Sequence, residues 1–169
     1  SFGIEEPDLD KLEPFIGPPL KDSFMQFYGL SEKDAEAAVD KYRERFKDIG
    51  LFENEVYEGI PQMLRTLKNK GMHLAVASSK PTVFVERILD YFQMREYFEA
   101  VVGSELDGRR VNKDEVVAEA LRQLFGEKEI EYDKVYMIGD RKFDVEGARA
   151  LGVESIGVSY GYGSLEELK

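Results

Sequence analysis

The sequence predicts an α/β fold, in which a parallel β-sheet carries helices on both faces and a small helical cap domain precedes it. Two observations support this prediction. From Tyr57 onward, short apolar runs alternate with segments of helical periodicity, and glycines separate many of them. The first third of the chain shows helical periodicity alone. Because repeated strand–helix units are joined by crossover connections, they imply parallel strands.

The first third is predicted to form two helices. One ends at Gly29, and the other is capped by Ser31 and ends at Gly50. Apolar residues recur at helical spacing in both, namely Leu20, Phe24, Phe27 and Tyr28 in the first and Ala35, Val39, Tyr42 and Phe46 in the second. We assign residues 1–54 to the cap.

The remaining residues, 55–169, are predicted to form a Rossmann-like core. Strands are expected at residues 73–77, 100–102, 135–138 and 155–158. Helices are expected at residues 60–70, 83–92, 116–125 and 144–151, the second of them with Pro81 near its start and the third ended by Gly126.

Composition excludes several kinds of chemistry. The chain of 169 residues has no cysteine, which removes disulfides and thiol catalysis, and its single histidine, His73, argues against a Ser-His-Asp triad. A net charge of −11 disfavours a nucleic-acid polymer as partner. No apolar run is long enough to cross a bilayer, so we expect no membrane partner, and the lack of cysteine fits the reducing cytoplasm that we expect as its location.

Polar side chains follow three successive predicted strands. Ser78 and Ser79 follow the first, Lys113 lies in the connection after the second, and Asp140 follows the third. Because the connections after parallel strands open on one edge of the sheet, these groups can converge there. Each also has a plain structural interpretation: either serine or Asp140 as a helix cap, and Lys113 as a surface residue in the first turn of its helix.

The order of these motifs resembles the haloacid dehalogenase superfamily, particularly phosphoglycolate phosphatase-like hydrolases with a helical cap. The segment Leu-Ala-Val-Ala-Ser-Ser-Lys-Pro at 74–81 resembles the second motif of that family, and Lys113 its third. The segment Gly-Asp-Arg-Lys-Phe-Asp at 139–144 resembles the fourth, Gly-Asp-x-x-x-Asp. Residues 57–60 and 160–164 fit the same subgroup.

The resemblance implies a role for each matching residue. Ser78 would hydrogen-bond a phosphoryl oxygen, and Lys113 would neutralise charge on the phosphate. Asp140 would ligate Mg²⁺ directly, and Asp144 would bind it more loosely or orient its ligands. Ser79 and Lys80 would border the same pocket.

The resemblance also implies a cap loop that faces the active site. The segment Phe-Ile-Gly-Pro-Pro-Leu-Lys at 15–21 matches it, with Gly17 in a stiff turn and Lys21 able to meet the substrate's non-transferred end. An ordinary turn between helices explains the same composition.

The first motif of the family, Asp-x-Asp-x-Thr after an N-terminal strand, has no match in the 169 residues. Its first aspartate attacks phosphorus and its second transfers protons. Asp8 and Asp10 follow no apolar strand, so we interpret them as part of the segment that leads into the cap. We therefore expect a core that lacks its first strand and its C-terminal end, and a chain that is a poor catalyst alone.

The leading functional hypothesis is a Mg²⁺-dependent phosphatase that acts through an aspartyl-phosphate on a small phosphorylated metabolite, such as phosphoglycolate or a nucleoside monophosphate. A phosphomutase or phosphotransferase of the same fold is an alternative. A non-catalytic module that binds phosphate and metal is another, and a receiver-type domain is disfavoured by the long cap. The sequence leaves the oligomeric state open between monomer and dimer.

Overall fold

The computed structural model describes residues 3–169, and the first third of the chain is helical, as predicted. A 3-10 helix at Leu9–Phe15 leads to α1 at Leu20–Tyr28 and α2 at Glu32–Phe46. The predicted cap at Ser31 is confirmed, because its hydroxyl accepts a hydrogen bond of 3.2 Å from Asp34 N. Gly29 ends α1 in the left-handed conformation, with φ +64°.

The core contains the alternation of helices and strands that the sequence predicts. A 3-10 helix at Gly50–Phe52 connects the cap to it. The strands are β1 at Ala75–Pro81, β2 at Ala100–Ser104, β3 at Tyr136–Gly139 and β4 at Glu154–Gly157. The helices are α3 at Ile60–Asn69, α4 at Thr82–Tyr91, α5 at Lys113–Phe125 and α6 at Lys142–Ala150, with 3-10 helices at Arg95–Tyr97 and Tyr132–Lys134.

The strands form two parallel pairs. β1 pairs with β2, with Ala75 opposite Ala100, and β3 pairs with β4, with Tyr136 opposite Glu154. Within residues 3–169, no ladder joins β1 to β3. This separation is compatible with the expected gap in the middle of the sheet, which stays a prediction.

Helices cover both faces of the β1–β2 pair. Neighbouring residues of β2 point in opposite directions, so Val101 packs with Val85 and Leu89 of α4, whereas Val102 packs with residues of α5. The predicted arrangement is therefore confirmed for this pair. Beside β3, a further cluster joins α5 and α6 through Val117, Leu121 and Ala148, and it includes Val153, which lies just before β4.

Three local predictions of the fold differ from the structure. The predicted end of α2 at Gly50 is wrong, because the helix ends at Phe46 and Gly50 begins the 3-10 helix that follows. β1 begins at Ala75 and continues through Ser78 and Ser79 to Pro81, because hydrogen bonding, and not apolarity, sets its limits. The interpretation of Asp140 as the cap of α6 is wrong, since Arg141 occupies that position. Among the described residues, no helix is both long and apolar enough to cross a membrane.

Candidate phosphate and metal site

The first group of site residues lies at the end of β1, where the pairing of β1 with β2 is irregular. Ala77 lies opposite Val102 and Pro81 lies opposite Ser104. Between these two pairs β1 has three residues, whereas β2 has one. The extra residues form a bulge, a feature that often redirects side chains beside binding sites. Ser78, Ser79 and Lys80 lie on this bulge.

Hydrogen bonds hold the bulge in place. The Ser78 hydroxyl oxygen accepts a bond of 3.1 Å from Lys80 N, and the Ser79 carbonyl accepts one of 2.9 Å from Ser104 Oγ. Since the Ser78 oxygen acts here as acceptor, its proton is available to donate to a ligand. Neither serine caps α4, whose N-cap is Pro81, so the capping interpretation of these serines is wrong.

Lys113 lies between the end of β1 and the start of α6. Its ammonium donates to the Ala77 carbonyl at 3.2 Å and lies 3.0 Å from Asp144 Oδ1. The Lys113 and Asp144 side chains are each only 11% exposed, so the interpretation of Lys113 as a surface lysine is wrong. Lys113 therefore joins the end of β1 to the first turn of α6, and its expected convergence with Ser78 and Asp140 stays a prediction.

Gly147 makes room for the Lys113 side chain. A Cβ atom at position 147 would lie 2.6 Å from Lys113 Cγ and 3.1 Å from Asp114 N. Only glycine therefore lets α6 approach α5 closely enough for the ion pair with Asp144 to form.

The turn after β3 carries both candidate metal ligands. Asp144, in the first turn of α6, accepts a bond of 3.1 Å from Arg141 N through Oδ2, while Oδ1 faces Lys113. Asp140 lies between Gly139 and Arg141, and its Oδ2 accepts a bond of 2.8 Å from Tyr162 N. Asp144 is thus fully engaged within the protein, and Asp140 keeps Oδ1 for a ligand.

The segment after β4 wraps around Asp140. A Cβ atom at Gly161 would overlap the Asp140 carboxylate, and one at Gly163 would overlap the Asp140 carbonyl oxygen. The contact therefore requires glycine at both positions. No role was predicted for these glycines from the sequence, although their spacing in the 160–164 segment was the available signal.

Tyrosine rings border the same turn. Tyr57 contacts Tyr160 edge to face, with 5.0 Å between ring centroids. The pKa of Tyr57 is raised, first by the partial loss of hydration at its hydroxyl and then by repulsion from the phenolate that Tyr162 forms at high pH and from the Asp140 carboxylate. Tyr160 and Tyr162 are 53% and 54% exposed, so Tyr160 packs while still facing solvent.

Lys80 links the site to the cap. Its ammonium lies 4.4 Å from the centroid of the Phe46 ring in α2, in cation–π geometry. Burial lowers the pKa of Lys80. A cation that is poorly hydrated in this way is ready to gain from an anionic ligand.

The lowered pKa of Lys80 predicts a pH-dependent difference in stability. The unfolded chain holds the Lys80 proton more tightly than the folded one, so the lysine's contribution to stability improves as pH rises toward its ordinary pKa of about 10.4. We expect wild type to gain stability relative to Lys80→Met between pH 7 and pH 10. Urea unfolding at both pH values measures this, with the exposed Lys33→Met as control. If the difference in stability between wild type and Lys80→Met is the same at both pH values, burial does not lower the pKa of Lys80 and the prediction is contradicted.

The two predicted cap-loop residues have different surroundings. Gly17 lies against Arg141, since a Cβ atom at position 17 would be 3.2 Å from Arg141 Nη1, so the cap loop reaches the turn that carries Asp140. The Lys21 ammonium instead bonds Glu32 at 2.7 Å and Glu36 at 2.8 Å, and both carboxylates raise its pKa. The structure therefore gives Lys21 a role in joining α1 to α2, and its contact with substrate stays a prediction.

The donor set fits a magnesium ion with few protein ligands. Mg²⁺ is commonly held by one or two carboxylates, with waters and substrate phosphate completing its shell. Asp140 offers such a carboxylate, whereas the two oxygens of Asp144 are engaged by Lys113 and by Arg141 N. Among residues 3–169, no cluster of three or more acidic or histidine side chains forms a complete metal cage.

These motifs and their arrangement can be compared with known proteins. The family of haloacid dehalogenase-like hydrolases matches residues 1–158. The chain belongs to this family. The resemblance derived from residues 74–81, 113 and 139–144 is thereby confirmed.

Three named proteins are similar in sequence to this haloacid dehalogenase-like chain. The chain is 48% identical over 168 residues to a 5'-nucleotidase of Pseudomonas aeruginosa, covering 99% of this chain and 74% of that protein. It is 37% identical over 162 residues to the tyrosine-protein kinase PtkA of Mycobacterium tuberculosis, covering 96% of this chain and 54% of that protein. It is 28% identical to phosphoglycolate phosphatase 1 of Pseudomonas aeruginosa, covering 96% of this chain and 60% of that protein.

A solved structure supports the fold of this haloacid dehalogenase-like chain. The crystal structure of a predicted phosphatase from Clostridium acetobutylicum superposes with a TM-score of 0.92 at 50% identity. The match covers 99% of this chain and 76% of that one. The α/β fold class is therefore confirmed, and the chain spans about three quarters of that phosphatase.

Proposed function

We propose that the protein is a Mg²⁺-dependent phosphatase that hydrolyses small phosphomonoesters, with nucleoside 5'-monophosphates as the preferred class. The observation that carries the proposal is the buried Lys113 ammonium, held between the Ser78 strand end and Asp144. It bonds the Ala77 carbonyl and Asp144, which leaves its third proton for a phosphoryl oxygen. The name of the 48% identical relative favours nucleotides over phosphoglycolate.

Each residue would act on the phosphoryl group from a different side. Ser78 would donate its hydroxyl proton to one phosphoryl oxygen, and Lys113 would donate an ammonium proton to another. Asp140 would hold Mg²⁺ through Oδ1, and Asp144 would keep Lys113 in place. When bound, Mg²⁺ supplies positive charge that offsets the charge on the phosphoryl oxygens. Such an array of positive charge and donors is what phosphoryl transfer requires.

Several assigned residues have supporting roles in this proposal. Ser79 holds the bulge through its carbonyl, Lys80 adds a cation at the boundary with the cap, and Gly17 brings the cap loop to the same turn. The family resemblance implies attack by an aspartate of the Asp-x-Asp-x-Thr motif, which the 169 residues do not contain. We therefore expect the 169-residue chain alone to bind phosphate without releasing it from esters.

The test is phosphate release from nucleoside 5'-monophosphates and phosphoglycolate by the protein as the cell makes it. The release assays are carried out with Mg²⁺ and with EDTA. In a separate experiment, calorimetry measures the binding of inorganic phosphate to the 169-residue chain. We expect Mg²⁺-dependent release with nucleotides preferred, and phosphate binding by the chain. Transfer to a second hydroxyl would instead indicate a phosphotransferase. Phosphate binding without turnover by the cellular protein would indicate a binding module, and either result would contradict the proposal.

A further inference from the structure

Arg141, the residue after Asp140, forms bonds within its own turn and with two segments that are distant in the chain. Its Nε donates to Glu167 Oε1 at 2.7 Å, and its Nη1 donates to the carbonyl of Ile16 in the cap loop. Its backbone N–H donates to Asp144 at 3.1 Å. One residue thus bonds the cap loop, the first turn of α6 and the C-terminal segment.

The Arg141–Glu167 pair is largely removed from water. The two side chains are 15% and 20% exposed, whereas the surface pair Arg45–Glu53 is 62% and 53% exposed. Exposed ion pairs contribute little because solvent screens them, while removing one partner of a buried pair leaves a charge uncompensated. The geometry of Arg141 is therefore strongly constrained.

Glu167 fixes the guanidinium from the side opposite the cap. The same Oε1 atom also accepts a bond of 2.8 Å from Lys142 N, at the start of α6. Burial alone would raise the pKa of Glu167, but the hydrogen bonds from Arg141 and Lys142 outweigh it and the pKa is lowered. Glu167 is thus held as a carboxylate beside Arg141.

The cap loop is shaped to receive Arg141. Gly17 has φ +113°, a conformation that side-chain-bearing residues rarely adopt, and a Cβ there would lie 3.2 Å from Arg141 Nη1. The loop therefore closes on the guanidinium with little space between them. Arg141 is also adjacent in sequence to Asp140, whose backbone must follow any movement of this residue.

We propose that Arg141 is a positioning residue that couples the cap loop to the Asp140 turn, with Glu167 orienting its guanidinium. This inference rests on the proposed function for the role of Asp140. In this arrangement, the segment 15–18 stays against the turn that holds the metal ligand. Ligand binding at Asp140 is thereby transmitted to the cap through the bond between Arg141 and Ile16, which are 125 residues apart in the chain.

The test compares Arg141→Met, Arg141→Lys and Glu167→Gln in the 169-residue chain, with Arg149→Met as a matched control. Arg149 is an exposed arginine near the end of α6, so the control removes the same charge from the same helix. Amide hydrogen exchange is followed at residues 13–20 and 160–168, with and without Mg²⁺ and inorganic phosphate.

We expect Arg141→Met to speed exchange in both segments at least tenfold without ligand, and Arg149→Met to change neither. With ligand, wild type should gain protection at residues 13–20, whereas Arg141→Met should bind at least tenfold more weakly and gain none. Arg141→Lys should restore part of the coupling, since a lysine retains the charge. Glu167→Gln should resemble Arg141→Met with a smaller effect.

Unchanged exchange in Arg141→Met would overturn the proposal, and so would ligand-induced protection of the cap loop equal to that of wild type. If Arg141→Met fails to fold, Glu167→Gln decides by the same criteria. Absence of phosphate and Mg²⁺ binding in wild type would contradict the proposed function alone, because exchange without ligand still decides the role of Arg141.

Discussion

Replacing Lys113 with methionine is expected to abolish phosphate binding and to destabilise the fold by about 3 kcal/mol. The physical reason is the burial of Asp144, which is 11% exposed and pairs with Lys113 at 3.0 Å. Without the ammonium, that carboxylate is left without its counter-ion in a poorly hydrated position. Calorimetric titration with inorganic phosphate and urea unfolding measure the two effects separately.

The double variant Lys113→Met with Asp144→Asn is the control for this prediction. Removing both charges eliminates the uncompensated carboxylate, so much of the lost stability should return while phosphate affinity stays absent. Lys33→Met, at an exposed position in α2, should change neither property. Wild-type phosphate affinity in Lys113→Met would contradict the assigned role of the lysine.

Replacing Gly163 with alanine is expected to weaken Mg²⁺ binding at least tenfold and to cost about 1–3 kcal/mol of stability. The added methyl group would overlap the Asp140 carbonyl oxygen, and backbone cannot move aside as a flexible side chain can. The Asp140 turn must therefore shift, and its carboxylate shifts with it. Calorimetry with Mg²⁺ and thermal unfolding provide the measurements.

Gly157→Ala is the matched control in the same C-terminal region. Its Cβ would lie 3.1 Å from Leu168 Cβ and 3.3 Å from Leu168 Cδ1, so a shift of Leu168 by a few tenths of an ångström relieves the contact. We expect a small loss of stability and unchanged Mg²⁺ affinity. Equal effects of the two substitutions on Mg²⁺ affinity would show that the segment wrapped around Asp140 has no specific role.

The sequence predicted those parts of the fold and candidate site that depend on local pattern. Apolar periodicity located α1 and α2, and the capping preference of Ser31 marked the start of α2 correctly. The positions of Ser78, Lys113 and Asp140 after successive strands predicted that they gather at one edge. The structure confirms the helices and the Ser31 cap and places Lys113 between the end of β1 and α6, whereas the gathering of all three residues at one site stays a prediction.

Other features depend on contacts between distant segments, which one sequence does not show. The bond from Arg141 to Ile16 and the contact of Gly163 with Asp140 arise only when the chain has folded. The engagement of Lys21 by Glu32 and Glu36 was missed because the pairs join separate helices. Ser79 and Lys80 were placed outside β1, since polarity hid the hydrogen bonding that extends the strand.

The proposed function requires that the ends of β1 and β3 and the start of α5 form one phosphate and metal site. The decisive measurement is a titration of the isotopically labelled chain with Mg²⁺ and inorganic phosphate, followed by amide chemical shifts. We predict that the amides of Ser78, Lys113 and Asp140 shift together with one affinity, and that phosphate tightens Mg²⁺ binding. Shifts confined to one of these segments, or shifts only in α1 and α2, would contradict a shared site.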